Sequence, residues 1–212
     1  MVKAKKIPDV HNGHRAIESE NSSIVFKNVK LPDYIEEQEE IDLDNLIEFV
    51  KVIIDDEKDE EAGCREAIPI MQFLHNIGIR VFDYDLATFY LAGEIIEKDC
   101  PLAIELLKGV SSAPYNDAMS MTKLGDCYQY GYGTPINAAE AMKWYEDGAI
   151  HGDEYAALNA GVLYARGFRE VKPNHKKAKF YLRRIKDNKD FKRIAKDWLK
   201  HIKIGDTPDY SF

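Results

Sequence analysis

Leu124-Gly-Asp-Cys-Tyr-Gln-Tyr-Gly131 and Ala160-Gly-Val-Leu-Tyr-Ala-Arg-Gly167 are the same phrase written twice. An offset of 36 carries Leu124 to Ala160, Gly125 to Gly161, Tyr128 to Tyr164 and Gly131 to Gly167. Beyond Gly167 the offset becomes 37, so that Ala141 maps to Ala178 and Trp144 to Tyr181, and Tyr145 is replaced by Leu182. Self-similarity at a period of this size is the mark of stacked helical repeats.

Each copy reads mechanically. Leu124 and Tyr128 stand four apart and share one stripe of a helix. Gly125 has no side chain, which lets a neighbouring helix press against it and offsets the roughly 1 kcal/mol a helical glycine costs against alanine. Gly131 and Gly133 can take positive φ and end the helix, and Pro135 stops it from resuming. Asn137 is an N-cap with Glu140 three residues on. Ala141, Trp144, Tyr145 and Gly148 then form the packing side of a second helix.

These residues resemble the Sel1-like repeat family, relatives of the tetratricopeptide repeats. Leu124, Gly125, Tyr128, Gly131, Gly133, Ala141, Trp144, Tyr145, Ala149 and Gly152 carry the match in the first copy. The second keeps Ala156, Gly161, Tyr164, Gly167, Ala178 and Tyr181, but has Phe168-Arg169 where the first has Tyr132-Gly133. The resemblance implies an all-α fold, a right-handed superhelical solenoid of antiparallel helix pairs. It implies binding of other proteins rather than catalysis. The family's tetratricopeptide-like geometry implies a concave face lined by first-helix residues. On this chain that face selects Val81, Tyr84, Thr88 and Leu91, then Met119, Thr122, Asp126 and Gln129, and finally Tyr155, Leu158, Val162 and Arg166. Tyr130 and Tyr132 do not fit the packing stripe and are expected to be exposed, and Tyr130 joins the candidate face.

Outward from the two copies the pattern decays. An offset of 38 places Leu86 on Leu124, Tyr90 on Tyr128, Gly93 on Gly131 and Ala103 on Ala141, which makes residues 80–110 a degenerate pair. A more diverged pair spans 42–75. Its first helix, about 42–54, carries Leu43, Leu46, Ile47, Val50, Ile53 and Ile54, and an acidic loop from Asp55 to Glu61 follows. Its second helix, about 64–75, contains Pro69, expected to kink it or mark its first turn. Residues 1–30 show no period and read as a flexible arm. The repeat domain thus runs 31–188, with clear repeats at 118–152 and 154–188. Residues 189–212 supply a capping helix, with Phe191, Ile194, Ala195, Trp198, Leu199 and Ile202 on one face, and a tail.

Charge is unevenly spread. The total is −8, yet residues 33–61 hold 14 acidic side chains against two lysines, and residues 172–203 hold 13 Lys or Arg against three Asp. The expected partner is another protein; the acidic stretch either steers a basic one or serves solubility or end-to-end charge pairing between subunits. The basic C-terminal helix reads as a solvated cap, because its lysines interleave with a regular apolar stripe; a nucleic-acid surface is the alternative.

No catalytic, cofactor-binding or metal-binding motif emerges. His11 and His14 have no carboxylate or cysteine close by, and the Gly-x-Gly at 131–133 lacks the strand and the Lys-Ser or Lys-Thr of a phosphate loop. Cys64, Cys100 and Cys127 are sparse and odd in number, as expected of reduced thiols. No apolar run reaches membrane-spanning length, and no signal sequence is legible, so a cytoplasmic location is expected. The reading is a non-catalytic adaptor or scaffold. A narrower alternative is an immunity or inhibitor protein that neutralises a toxin by covering it.

Overall fold

The computed structural model describes residues 30–32, 35, 42–54 and 60–204. The arm at 1–29, most of the acidic stretch outside 42–54 and 60–61, and the tail beyond 204 lie outside the described residues. Among those described there are nine helices, and the only extended pairing is the isolated bridge between Phe168 and Val171. The fold is all-α. The chain divides into two compact units, residues 1–106 and 107–212.

In the first unit, α1 (Leu43–Ile54) buries Leu46 and Val50 against α2 (Glu60–Asn76), which buries Ala67, Ile70, Met71 and Leu74. Gly63 lets the two helices meet: a Cβ there would overlap the Ile53 carbonyl. Ahead of them Leu31 and Ile35 are also buried. Glu60 and Glu61 belong to α2 and not to an acidic loop. The earlier start leaves Pro69 in the interior of α2, not in its first turn.

Buried polar groups link α2 to α3 (Asp83–Ala92). His75 Nδ1 lies 2.8 Å from Asp83 Oδ1, both side chains are sealed from solvent, and Arg80 stands 3.7 Å from Asp83 Oδ2. Burial pushes the Asp83 carboxyl above the usual carboxylate range, although the hydrogen bond and charge of His75 pull the other way. Gln72 Nε2 donates to the Tyr90 hydroxyl at 2.9 Å.

The loop between the two helices of a repeat is built to one plan. The carbonyls of Tyr90, Tyr128 and Tyr164 each accept from the N–H of Asp99, Asn137 and Asn174, at 3.1, 2.9 and 2.7 Å. Each of those three side chains then caps the second helix, accepting from the backbone of Leu102, Glu140 or Lys177. Residues 83–108, degenerate in sequence, therefore keep the closure of the clear repeats. The helix that follows Asp99 is α4 (Cys100–Ser111).

The second unit stacks α5 (Ala118–Tyr130), α6 (Ala138–Ile150), α7 (Glu154–Arg166), α8 (His175–Arg184) and α9 (Lys192–Ile204). Asp117 and Asp153 cap the first helices of its two repeats, accepting from the backbone of Ser120 and of Tyr155 with Ala156. Gly125 receives the Tyr145 ring, and its counterpart Gly161 receives Leu182. Gly148 sits between Thr122 and Ala156 and brings α6 against α5 and α7. The core runs through Tyr145, Leu163, Tyr181 and Leu182 to Ala195, Trp198 and Ile202, so α9 covers the last repeat. Trp144, expected in the core, is only half-buried, with the Lys143 ammonium 5.4 Å from its ring centroid. All three cysteines are free, Cys64 and Cys127 buried and Cys100 half-buried.

Candidate protein-binding face

The candidate residues divide between the two units. Tyr84, Thr88 and Leu91, on α3 of the first, are half-buried, and the Thr88 hydroxyl donates to the Asp85 carbonyl of its own helix. Val81, just ahead of them, is exposed.

In the second unit α5 and α7 lie side by side and present the rest. Met119, Tyr130, Tyr155 and Arg166 are exposed, and Asp126 is half-buried between them in the chain. Four expected members are corrected: Thr122, Gln129, Leu158 and Val162 are buried. Each α5 and α7 helix has neighbours on two sides in the stack, and these positions turn toward them. The Thr122 hydroxyl reaches Asp153 Oδ2 at 2.6 Å, and Gln129 Oε1 lies 2.9 Å from the Tyr145 hydroxyl. Leu158 and Val162 join the apolar core.

Beneath the exposed layer runs a polar strut. The Tyr145 hydroxyl donates to Asp126 Oδ1 at 2.6 Å. A phenol has one proton, and of the two acceptors facing it, Asp126 Oδ1 at 2.6 Å and Gln129 Oε1 at 2.9 Å, the nearer carboxylate takes it. Burial, then the nearby Asp126 charge, pushes the Tyr145 phenol far above its ordinary range, so it stays protonated. Burial likewise raises the Asp126 carboxyl, against the pull of the Tyr145 hydrogen bond.

On the surface, the Tyr130 and Tyr132 rings stand 5.7 Å apart, and Tyr155 lies 6.1 Å from the half-buried Phe191. Tyr130 feels the charges of Asp126 and Arg166 and the phenol of Tyr155, and burial is the main reason its own phenol is raised. Phe191 is the member the sequence did not place here, because its spacing marks only the core stripe of α9. Four aromatic rings, Tyr130, Tyr132, Tyr155 and the half-buried Phe191, with one guanidinium form a surface that can stack and hydrogen-bond a polypeptide.

A second cluster ties α6, α7 and α8 together. Glu146 Oε1 accepts from Tyr164, Lys177 and Tyr181, at 2.8, 2.8 and 3.2 Å, and the two tyrosine rings stack at 6.2 Å. Hydrogen bonds to Glu146 and Tyr164 hold the Lys177 ammonium above its usual range. Burial, then Glu146, pushes the Tyr181 phenol up to about 12. This is a clamp between repeats. Among the described residues no group of three or more His, Cys, Asp or Glu is placed to hold a metal ion, and no helix is long and apolar enough to cross a membrane.

A model of the Sel1 repeat family matches residues 83–108, 118–153 and 154–190. Among solved structures, the chain is similar to a protective antigen of uropathogenic Escherichia coli strains that displays an SLR fold. That match has a TM-score of 0.61 at 16% identity and covers 79% of this chain and 35% of the other. It is also similar to a Sel1 repeat protein from Oxalobacter formigenes, with a TM-score of 0.51 at 24% identity over 66% of this chain and 55% of the other. At these identities the likeness shows the fold alone, and the chain spans about a third and about half of the two. No curated protein matches the sequence.

Proposed function

Because this chain belongs to the Sel1 repeat family, through residues 83–190, we propose that it is a non-catalytic adaptor that holds another protein on the exposed face of α5 and α7. Repeats of this family commonly mediate protein–protein interaction. The observation that carries the reading is the exposure of Tyr130, Tyr132 and Tyr155 beside Arg166, at the ends of two helices whose central positions are mostly buried. Tyrosine and arginine are the side chains that most often dominate binding energy at protein interfaces.

The test is affinity capture on immobilised protein, with bound proteins identified by mass spectrometry. A true ligand is lost on the combined change Tyr130→Ala, Tyr155→Ala and Arg166→Ala, and retained by Phe180→Ala, which alters an exposed ring elsewhere. A ligand indifferent to the triple change removes this face from the account. The narrower reading, an immunity or inhibitor protein acting in the cytoplasm, draws on the net charge of −8, which suits a basic toxin. Co-expression with a toxin encoded beside it tests that reading, and absence of protection ends it.

A further inference from the structure

The outer side of α9 carries a ladder of one sign. Lys189, Lys192, Arg193, Lys196 and Lys200 line an open hollow, together with Asp197. All five cations are exposed, while Ala195, Trp198 and Ile202 on the opposite side of the helix are buried. None of the five forms an ion pair among the described residues, and Asp197 is approached by His201 on its own helix at 3.5 Å. Within α9, Lys192 and Lys196, and Lys196 and Lys200, are like charges four residues apart, a spacing that mildly destabilises a helix. A cap needs only a polar outer side, and mixed signs would provide one without that repulsion.

We propose that this face docks a carboxylate-bearing helix of another protein, one whose Asp and Glu side chains recur once per turn. Lys192, Lys196 and Lys200 climb α9 about once per 5.4 Å turn over about 12 Å, the period at which a partner helix presents acids at i, i+4 and i+7, and Lys189 extends the row just ahead of the helix. Four of the five are lysines, point charges without the planar fork that reads phosphate in two places. No aromatic side chain lines the hollow, so it offers no platform for a base. The chain as a whole is negative, which opposes nucleic acid at long range. The surface shares no lining residue with the face holding Tyr130 and Tyr155.

The experiment uses the full chain and a fluorescent alanine-rich helical peptide with glutamates at i, i+4 and i+7, followed by anisotropy. Binding is expected at about 50 mM salt and is expected to weaken steeply by about 300 mM. The triple variant Lys192→Glu, Lys196→Glu, Lys200→Glu is expected to lose at least about tenfold in affinity, and the Lys→Arg triple to keep it. Changing Tyr130 and Tyr155 to alanine leaves it unaffected. Circular dichroism checks that each variant is folded, and the arginine triple keeps the test informative if the glutamate one is not. No binding at low salt overturns the proposal. So does tighter binding of a DNA duplex through the same lysines, which reassigns the face to nucleic acid. Salt-sensitive self-association through these lysines also overturns it, in favour of a second copy.

Discussion

The Cβ that Gly125 lacks would lie 2.5 Å from two carbons of the Tyr145 ring. That ring cannot swing aside, because its hydroxyl is held by Asp126 and Gln129. Gly125→Ala is therefore expected to cost about 2–3 kcal/mol through overpacking. Gly161→Ala meets the aliphatic Leu182 at 2.7 Å and is expected to cost less, about 1–2 kcal/mol. Urea denaturation of the two variants checks both the size and the order.

Tyr145→Phe keeps the ring and removes the donor, leaving Asp126 and Gln129 without their shared partner. A loss of about 1–3 kcal/mol is expected. Tyr164→Phe is expected to cost less, because Glu146 keeps Lys177 and Tyr181 as donors. Equal losses would show that the two networks are not ranked by how many donors remain.

Asp126 and Asp83 share a pH signature. Burial raises both carboxyls above their unfolded value of about 3.9, so the folded chain holds these protons more tightly than the unfolded one. Stability from these groups is fully present below about 3.9 and falls as pH rises through the folded values. Asp126→Asn, which still offers an acceptor to Tyr145, is expected to flatten that fall. Melting temperatures from pH about 4 to about 7 read it; an unchanged slope would place the titration elsewhere.

His75→Ala strips the buried Asp83 of its close partner and leaves Arg80 at 3.7 Å as the nearest cation. Breaking a buried pair from one side costs about 3–5 kcal/mol. The double variant His75→Leu, Asp83→Leu removes both polar partners and is expected to lose less than the sum of the single changes. A double-mutant cycle by chemical denaturation measures the coupling.

Arg169 has φ 50°, in the place where the first repeat has Gly133 at 70°. The left-handed region costs a side chain roughly 1 kcal/mol that glycine does not pay. Arg169→Gly is expected to stabilise the second unit by about 0.5–1 kcal/mol, and Arg169→Val to destabilise it, by thermal melts of the two variants.

Much of the local design was legible in the chain. The period of 36 to 37, the glycine pressed by a neighbouring helix, the Gly131 exit and the Asn137 cap each reappear in the structure. They are local because each depends on what one residue can do to its own backbone or to a partner at fixed spacing. The Phe168-Arg169 departure also has a physical form: without Gly133 the loop closes through a two-way backbone bridge between Phe168 and Val171. Asp117, Asp153 and Asn174 are caps of the same kind, and the offset from Asn137 to Asn174 marks one of them in the sequence alone.

By itself, then, the sequence determined the helix pairs, their order and the residues that start and stop them, because propensity, capping and periodicity act over a few positions. Only the tertiary structure decided which first-helix residues reach solvent. Gln129 and Tyr130 are neighbours in the chain, yet one is sealed under Tyr145 and the other lies open. A helix face is divided between partner helix, next repeat and water by angles of a few tens of degrees. No spacing rule resolves that division, and it is the division on which the candidate binding face rests.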